Sequence, residues 1–319
     1  MSWLVQPRLI NGPFEDPGLF LDFRFGRRAI LFDLGDLSPL APRDLLRVSH
    51  AFVSHTHVDH FAGFDRLLRV CLHRPAPLHL VGPPGFIGNV AGKLAGYTWN
   101  LLDESSPDLV IFASEFDGAR LSAHAEFRAR GGFRRLECAP PDLPPGTVLQ
   151  EEAFTIQAVA LDHGTPSLAF ALQEKVRVNI WKDGLAALGL PVGPWLNDAK
   201  RAFRRGMPDD FAISVPGGTV ALGALKRHAL RVAPGQRIAY VTDAAGSPAN
   251  AERTCQLAQG ADQLFIEAAY LAEDSDPRRA QPASHRGNGG SDRQGRRGGK
   301  GNAVPLLGPL SQPAGRCPS

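Results

Sequence analysis

The segment Ser54-His55-Thr56-His57-Val58-Asp59-His60 places three imidazoles and one carboxylate within six residues of each other. It follows an apolar run that predicts a buried strand. On extended backbone, His55 and His57 point to the same side because side chains alternate with a period of two, so their rings can hold one cation together. Asp59 and His60 come after the bend and can face a second cation. Imidazole nitrogen and carboxylate oxygen are preferred ligands of zinc, so the segment predicts a two-metal site rather than an ordinary polar loop.

The residues around this segment predict layered α/β packing, because short apolar runs alternate with amphipathic stretches up to about residue 273. The predicted strands are residues 28–34, 47–54, 79–82, 154–160, 167–173, 237–242 and 263–267, and the predicted helices are residues 85–95, 197–205 and 250–259. Proline and glycine predict turns at residues 144–146 and 233–236.

Composition excludes several classes of protein. Residues 1–10 lack the pattern of a signal peptide, and no apolar run reaches the roughly 18 residues of a membrane span, so we expect a cytoplasmic protein. The four cysteines lie far apart without a CxxC pair, which argues against a cysteine-based zinc site. The net charge is +3, but residues 277–319 carry eight basic side chains against one acidic side chain. The rest of the chain is therefore mildly acidic, and any RNA contact needs a local basic patch.

The HxHxDH run of residues 55–60 resembles the signature of the metallo-β-lactamase superfamily. The segments Leu161–Ser167 and Leu188–Trp195 resemble those of ribonuclease Z within that superfamily, and the resemblance extends from Gly26 to about Glu273. It implies a four-layer αβ/βα sandwich with two zinc ions at one edge. It also implies that His55, His57 and a later histidine bind one ion, while Asp59, His60 and a last histidine bind the other.

Three later residues complete the implied site. His163, in Leu161–Ser167, would complete the first zinc, although a histidine in a turn is the alternative. Asp243 stands at a predicted strand end, where the family has its bridging aspartate, and a helix N-cap is the alternative. Glu267 lies where the family has a His-Glu-Ala-Thr segment, with Ile266 in place of the histidine. It would orient a metal ligand or a catalytic histidine, with an ordinary exposed carboxylate as the alternative.

The C-terminal residues depart from the family. Residues 1–273 are predicted to form the metallo-β-lactamase domain, and residues 274–319 a basic Gly/Arg/Pro-rich tail that is disordered by composition. The family's last histidine segments, HLTA and PFHFS, are absent in frame. Read with a one-base shift, residues 282–286 are compatible with RHLTA and residues 302–311 with MPFHFSARYR. We therefore hypothesise a frameshift between about residues 274 and 281, with a genuine basic tail as the alternative; the last helix and strand would be missing.

The function implied by the resemblance is cleavage of a phosphodiester at the 3′ side of precursor tRNA by a metal-bound hydroxide. Asp59 and Glu267 are the catalytic candidates, and Asp59 would orient or deprotonate the attacking water. Without its final imidazole the second zinc site is expected to be weakened, and the activity of the chain is in doubt. The alternatives are hydrolysis of a small ester, thioester or lactone by the same fold, or an inactive remnant.

The expected partners follow from the same resemblance. They are precursor tRNA or another RNA, without DNA or membrane, and a possible homodimer. A local basic patch exists at Lys200, Arg201, Arg204 and Arg205, on a predicted helix, with a solvated helix face as the alternative. We find no insertion resembling the arm that grips the tRNA elbow in ribonuclease Z, but in relatives this arm can be supplied by another subunit or be absent.

Overall fold

A computed structural model describes residues 3–24 and 26–267, in which the seven predicted strands and six further strands form two large sheets. The strands are β1 (Val5–Leu9), β2 (Leu19–Phe23), β3 (Ala29–Phe32), β4 (Val48–Phe52), β5 (Leu78–Gly82), β6 (Val110–Phe116), β7 (Leu121–Arg128), β8 (Arg135–Cys138), β9 (Thr147–Gln150), β10 (Phe154–Asp162), β11 (Pro166–Glu174), β12 (Val176–Ile180), β13 (Ala212–Val215), β14 (Gly218–Ala221), β15 (Leu230–Pro234), β16 (Arg237–Val241) and β17 (Gln263–Ile266). The helices are α1 (Pro42–Leu45), α2 (Val58–Phe61), α3 (Phe64–Cys71), α4 (Phe86–Ala95), α5 (Lys182–Ala187), α6 (Trp195–Arg204), α7 (Leu222–His228) and α8 (Pro248–Ala258), with a 3₁₀ turn at Ala129–Gly131.

The two sheets differ in size and direction. The eight-stranded sheet runs from β1 to β8 in sequence order, and its β3–β4, β4–β5 and β5–β6 pairs are parallel. The five-stranded sheet has the order β17-β16-β11-β10-β9, and its β16–β17 pair is parallel. Parallel strands of one sheet end at the same edge, so the loops after β3, β4 and β5 lie close together.

Alternating side chains of β3 separate the layers. Ile30 and Phe32 pack between the two sheets, where the Phe32 ring stacks on Phe170 at 5.4 Å between centroids. Ala29 and Leu31 point the other way and join the core under α3 and α4. Apolar side chains on both faces of β3 therefore predict that this strand lies in the centre of the sandwich.

Helix α8 covers the outer face of the five-stranded sheet, where Leu257 packs with Ala169, Ala171 and Ala239. The order of layers is helices, sheet, sheet, helix, and the predicted αβ/βα sandwich is confirmed. Three predictions concern residues beyond Glu267, which lie outside the described residues. They are the disordered tail, the frameshift, and the missing last helix and strand. Within the described residues, no helix has the length and apolar character needed to cross a bilayer.

A small unit is inserted between β11 and β16. It pairs β12 with β15 and β13 with β14, and α5, α6 and α7 pack around these two strand pairs. Its core contains Val178, Leu185, Trp195, Ala199 and Leu222. Of these elements the sequence predicted α6 alone, because the others are too short for periodicity to detect.

The turn after β3 fixes the start of α3. Leu34 donates its N–H to the carbonyl of His60, and Gly63 donates its N–H to the carbonyl of Leu34. A Cβ on Gly63 would overlap the carbonyl oxygen of Gly35, so the two backbones approach as closely as glycine permits.

We predict that Gly63→Ala lowers the free energy of unfolding by about 1–3 kcal/mol, because the added methyl group forces these backbones apart. Chemical denaturation would measure the change. Gly88→Ala on α4 is the matched control, since a Cβ there meets nothing within 4 Å, and alanine is the better helix former. Equal midpoints for the two variants would show that the close approach does not constrain the fold.

Candidate metal centre

The histidine-rich segment leaves β4 at the edge where the two sheets meet. Leu168 of β11 donates its N–H to the carbonyl of Ser54 at 2.9 Å, which ties the segment to the five-stranded sheet. His57 is extended (φ −63°, ψ 156°), and the single turn of α2 follows it. The extended part and the helical turn therefore present their side chains to the same place from two directions.

One group of side chains combines this segment with both later sequence candidates. The ligating atoms of His55, His57, His163 and Asp243 all lie within 4.8 Å of one another. His55 Nε2 is 2.9 Å from His57 Nδ1. Asp243 Oδ2 lies 3.5 Å from His55 Nε2 and 3.4 Å from His163 Nε2. The structure thus brings together four donors from three distant stretches of the chain.

A second group shares Asp243. It consists of Asp59, His60 and Asp243, whose ligating atoms also lie within 4.8 Å of one another. His60 Nε2 is 3.1 Å from Asp243 Oδ2 and 3.7 Å from Asp59 Oδ2. Within residues 3–24 and 26–267, this group has three members where the first has four.

These separations suit a metal ion. Donors about 2.0–2.1 Å from a tetrahedral ion lie roughly 3.3 Å from each other. The measured separations between Asp243 Oδ2 and the histidine Nε2 atoms are 3.1–3.5 Å. The donor set is imidazole and carboxylate, which suits zinc and other divalent transition metals. The residues present therefore fit divalent metal ions, with Asp243 as a donor that both groups share.

Asp33, which the sequence interpretation left inside a strand, is the buried centre of this edge. Its side chain is fully buried and its φ is +59°, in the left-handed region. Oδ1 accepts the backbone N–H of Ser54 at 2.6 Å, and Oδ2 accepts the Ser54 hydroxyl at 2.9 Å and the Tyr240 hydroxyl at 2.9 Å. A carboxylate at the end of an otherwise apolar strand was the signal available in the sequence.

Asp33 also selects the tautomer of His60. Its Oδ2 lies 3.0 Å from His60 Nδ1. A carboxylate at that distance accepts the Nδ1–H, so the Nε2 atom of His60 is left to face Asp59 and Asp243. The Ser54 hydroxyl lies 3.1 Å from His55 Nδ1, within hydrogen-bonding distance of this second ring.

The pKa shifts of the histidines and carboxylates in the site indicate where positive charge is stabilised. Burial alone would lower the pKa of His60, but hydrogen bonds to Asp243 and Asp33 outweigh it and raise the pKa to about 10. Burial and the charge of His60 lower the pKa of His55 to about 4. The His60 imidazolium lowers the pKa of Asp243, against the effect of burial. A proton on His60 thus occupies the position where a cation would balance the two carboxylates.

Glu267 follows β17 and contacts the side chain of Asp243. Partial burial of its carboxyl and the negative charge of Asp243 raise the pKa of Glu267 to about 7. Among the described residues, the carboxyl of Glu267 therefore lies beside that of Asp243, the donor that both groups share. Asp243 is not a helix N-cap, because Ser247 caps α8 by accepting the N–H of Asn250.

Comparison with known proteins supports a family assignment. No family model matches the chain. A ribonuclease Z from Deinococcus radiodurans is 30% identical over 278 residues, which cover 86% of this chain and 81% of that protein. Ribonucleases Z from Pyrococcus abyssi and Nocardia farcinica are 26% and 29% identical and cover 76% and 82% of this chain, with 66% and 72% of their own lengths matched.

Solved structures give weaker matches. The short form of human tRNase Z is 17% identical, with 50% of this chain and 58% of that chain covered and a TM-score of 0.30. A metallo-β-lactamase fold protein from Bacillus subtilis is 16% identical, with coverages of 53% and 57% and a TM-score of 0.33. The chain thus spans little more than half of these two structures. The Deinococcus relative, 30% identical over 81% of its length, shows that the chain belongs to the ribonuclease Z family of metal-dependent hydrolases.

Proposed function

We propose that this chain is a zinc-dependent endoribonuclease that hydrolyses a phosphodiester at the 3′ side of precursor tRNA. The observation that carries the proposal is the position of Asp243 Oδ2, 3.1–3.5 Å from the Nε2 atoms of His55, His60 and His163. Relatives named ribonuclease Z supply the substrate class.

Each of the two groups of donors would bind one metal ion. His55, His57, His163 and Asp243 would hold one zinc ion, and Asp59, His60 and Asp243 would hold the other. Two zinc ions would supply Lewis acidity to the phosphoryl group and lower the pKa of an attacking water to about 7. All further steps depend on side chains of this chain.

Asp59 is the proposed residue that orients the attacking water. Its side chain is 49% exposed, while the neighbouring His60 is 1% exposed. It lines a cavity of about 410 Å³ between the loop of residues 11–18 and Glu267, from which water and substrate would reach it. Asp59 would orient the water and accept its proton at a carboxylate oxygen.

Glu267 has a positioning role in this proposal. Its carboxyl contacts that of Asp243, and in the absence of metal, burial and the charge of Asp243 raise its pKa to about 7. Through this contact Glu267 would fix the orientation of the shared ligand. The homodimer expected from sequence stays a prediction, which mass photometry would check.

We predict that the purified protein binds zinc in two steps of unequal affinity, because one group has four donors and the other three. His163→Ala should weaken the tighter step by at least tenfold, measured by competition with a chromophoric chelator. His73→Ala is the matched control, since His73 is exposed and stands outside both groups. If His163→Ala and His73→Ala bound zinc with equal affinity, His163 would not be a ligand.

We predict that Asp33→Asn lowers zinc affinity about 10–100-fold, because an amide holds the Nδ1–H of His60 less strongly than a carboxylate does. The same chelator competition measures the change. Asp183→Asn, at an exposed position of α5, is the control for loss of one carboxylate. Circular dichroism identifies a variant that fails to fold. A folded Asp33→Asn protein with the affinity of the control would contradict a role for Asp33 in metal binding.

We predict that the zinc-loaded protein cleaves a 3′-extended tRNA, and that Asp59→Asn lowers kcat by about 10²–10⁴-fold because it removes a proton acceptor. Gel analysis of the RNA measures the rate, and His73→Ala should cleave normally. Nitrocefin and a thioester are the competing substrates. Hydrolysis of either one without cleavage of the tRNA would overturn the proposed function.

A further inference from the structure

Asn250 is a buried amide in the first turn of α8, the helix that covers the outer face of the five-stranded sheet. The residue is 3% exposed and is the third residue of the helix. The hydroxyl of Ser247 already accepts the backbone N–H of Asn250 at 3.2 Å, so the helix is capped without the Asn250 side chain. Burial of an amide is costly unless its oxygen and N–H groups are hydrogen-bonded, so the partners of the amide indicate its role.

Backbone groups are the partners of this amide on every side. Its Oδ1 accepts the N–H of Asp162 at 3.0 Å, and its Nδ2 donates to the carbonyls of Asp162 at 2.7 Å and Ala245 at 2.9 Å. The amide thus uses its acceptor and both of its donors. An apolar side chain at position 250 could make none of these three hydrogen bonds.

The three bonds join two loops that carry metal donors. Asp162 directly precedes His163, and Ala245 follows Asp243 by two residues. The two loops also touch each other, because Ala245 donates its N–H to the carbonyl of Asp162 at 2.7 Å. Asn250 stands 88 residues from Asp162 in the chain, so the fold brings the amide to both loops.

The hydrogen bonds of the sheet stop short of these loops. Strand β11 lies between β10 and β16, so the usual strand spacing puts those two strands about 10 Å apart. The pairing of β11 with β16 extends only to Phe170 and Tyr240, three residues before Asp243. Nevertheless, His163 Nε2 is 3.4 Å from Asp243 Oδ2. The separation of these two donors therefore depends on contacts between the loops, and the bonds of Asn250 are among them.

We propose that Asn250 is a positioning residue of the metal centre, whose amide holds the His163 loop and the Asp243 loop at the separation that a shared cation needs. It acts through the backbone of Asp162 and Ala245 and does not belong to either group of donors. The inference rests on the metal ions of the proposed function and does not depend on the identity of the substrate.

Leu257, on the same helix, provides the matched control. It is 4% exposed and packs against the five-stranded sheet with Ala169 and Ala239. Leu257→Ala removes buried packing of α8, which lowers stability, but it leaves the three bonds of the Asn250 amide in place. A residue that only stabilises α8 should therefore behave as Leu257 does.

The first experiment measures zinc affinity of the full chain by competition with a chromophoric chelator. Asn250→Ala should weaken the tighter step about 10–100-fold, as loss of a partner that orients ligands does. Leu257→Ala should bind zinc as the wild type does. Asn250→Ser, which keeps a small polar group, should show a smaller loss in the same direction and guards against misfolding of Asn250→Ala. Chemical denaturation of the metal-free proteins gives the stability lost in each variant.

The second experiment reads the geometry of the site at saturating metal, where a difference in affinity no longer matters. Cobalt replaces zinc as the probe, because its visible absorption depends on the number and arrangement of its ligands. The spectrum of cobalt-saturated Asn250→Ala should differ from that of the wild type in intensity or band position. The spectrum of Leu257→Ala should match the wild type.

Two results would overturn the inference alone. One is wild-type affinity and a wild-type cobalt spectrum in the Asn250 variants. The other is a loss of affinity in Leu257→Ala as large as that in Asn250→Ala, because the effect would then come from lost stability. A wild-type protein that bound neither zinc nor cobalt would refute the proposed function, and the inference would fall with it.

Discussion

The structure depends on one buried carboxylate. Asp33 is fully buried and accepts hydrogen bonds from the loop after β4 and from Tyr240 of β16. Its Oδ2 also lies 3.0 Å from the ring of His60 on α2. A buried charge without partners would cost several kcal/mol, so these elements must keep their positions for the site to remain folded. The interaction joins both sheets at the edge where the metal centre lies.

The metal centre in turn links the two sheets. His55, His57, Asp59 and His60 follow a strand of the eight-stranded sheet, whereas His163 and Asp243 follow strands of the five-stranded sheet. Because Asp243 belongs to both groups of donors, a metal pair would hold the sheets together at this edge. Metal binding and folding would therefore be coupled, and removal of bound metal would weaken the sandwich as well as the chemistry.

The sequence by itself determined seven of the thirteen strands of the two large sheets and the pattern of donors in residues 55–60, whereas β1, β2 and β6 to β9 were not predicted. Both depend on local periodicity: β3 is apolar on both faces, and His55 and His57 share one side of an extended segment. It also indicated His163 and Asp243 through resemblance to a family. Tertiary structure decided how these stretches meet, because Asp243 is 183 residues from His60.

Asp33, Glu267 and Arg177 show what the sequence could not supply. The partner of Asp33 on β16 is 207 residues away, so nothing near Asp33 in the chain reveals that its charge is needed. The pKa of Glu267 depends on the neighbouring Asp243, and the burial of Arg177 depends on contact with Trp3. Side-chain patterns specify which face of an element is buried, but the fold alone sets which distant charges face each other, since those contacts form after the layers pack.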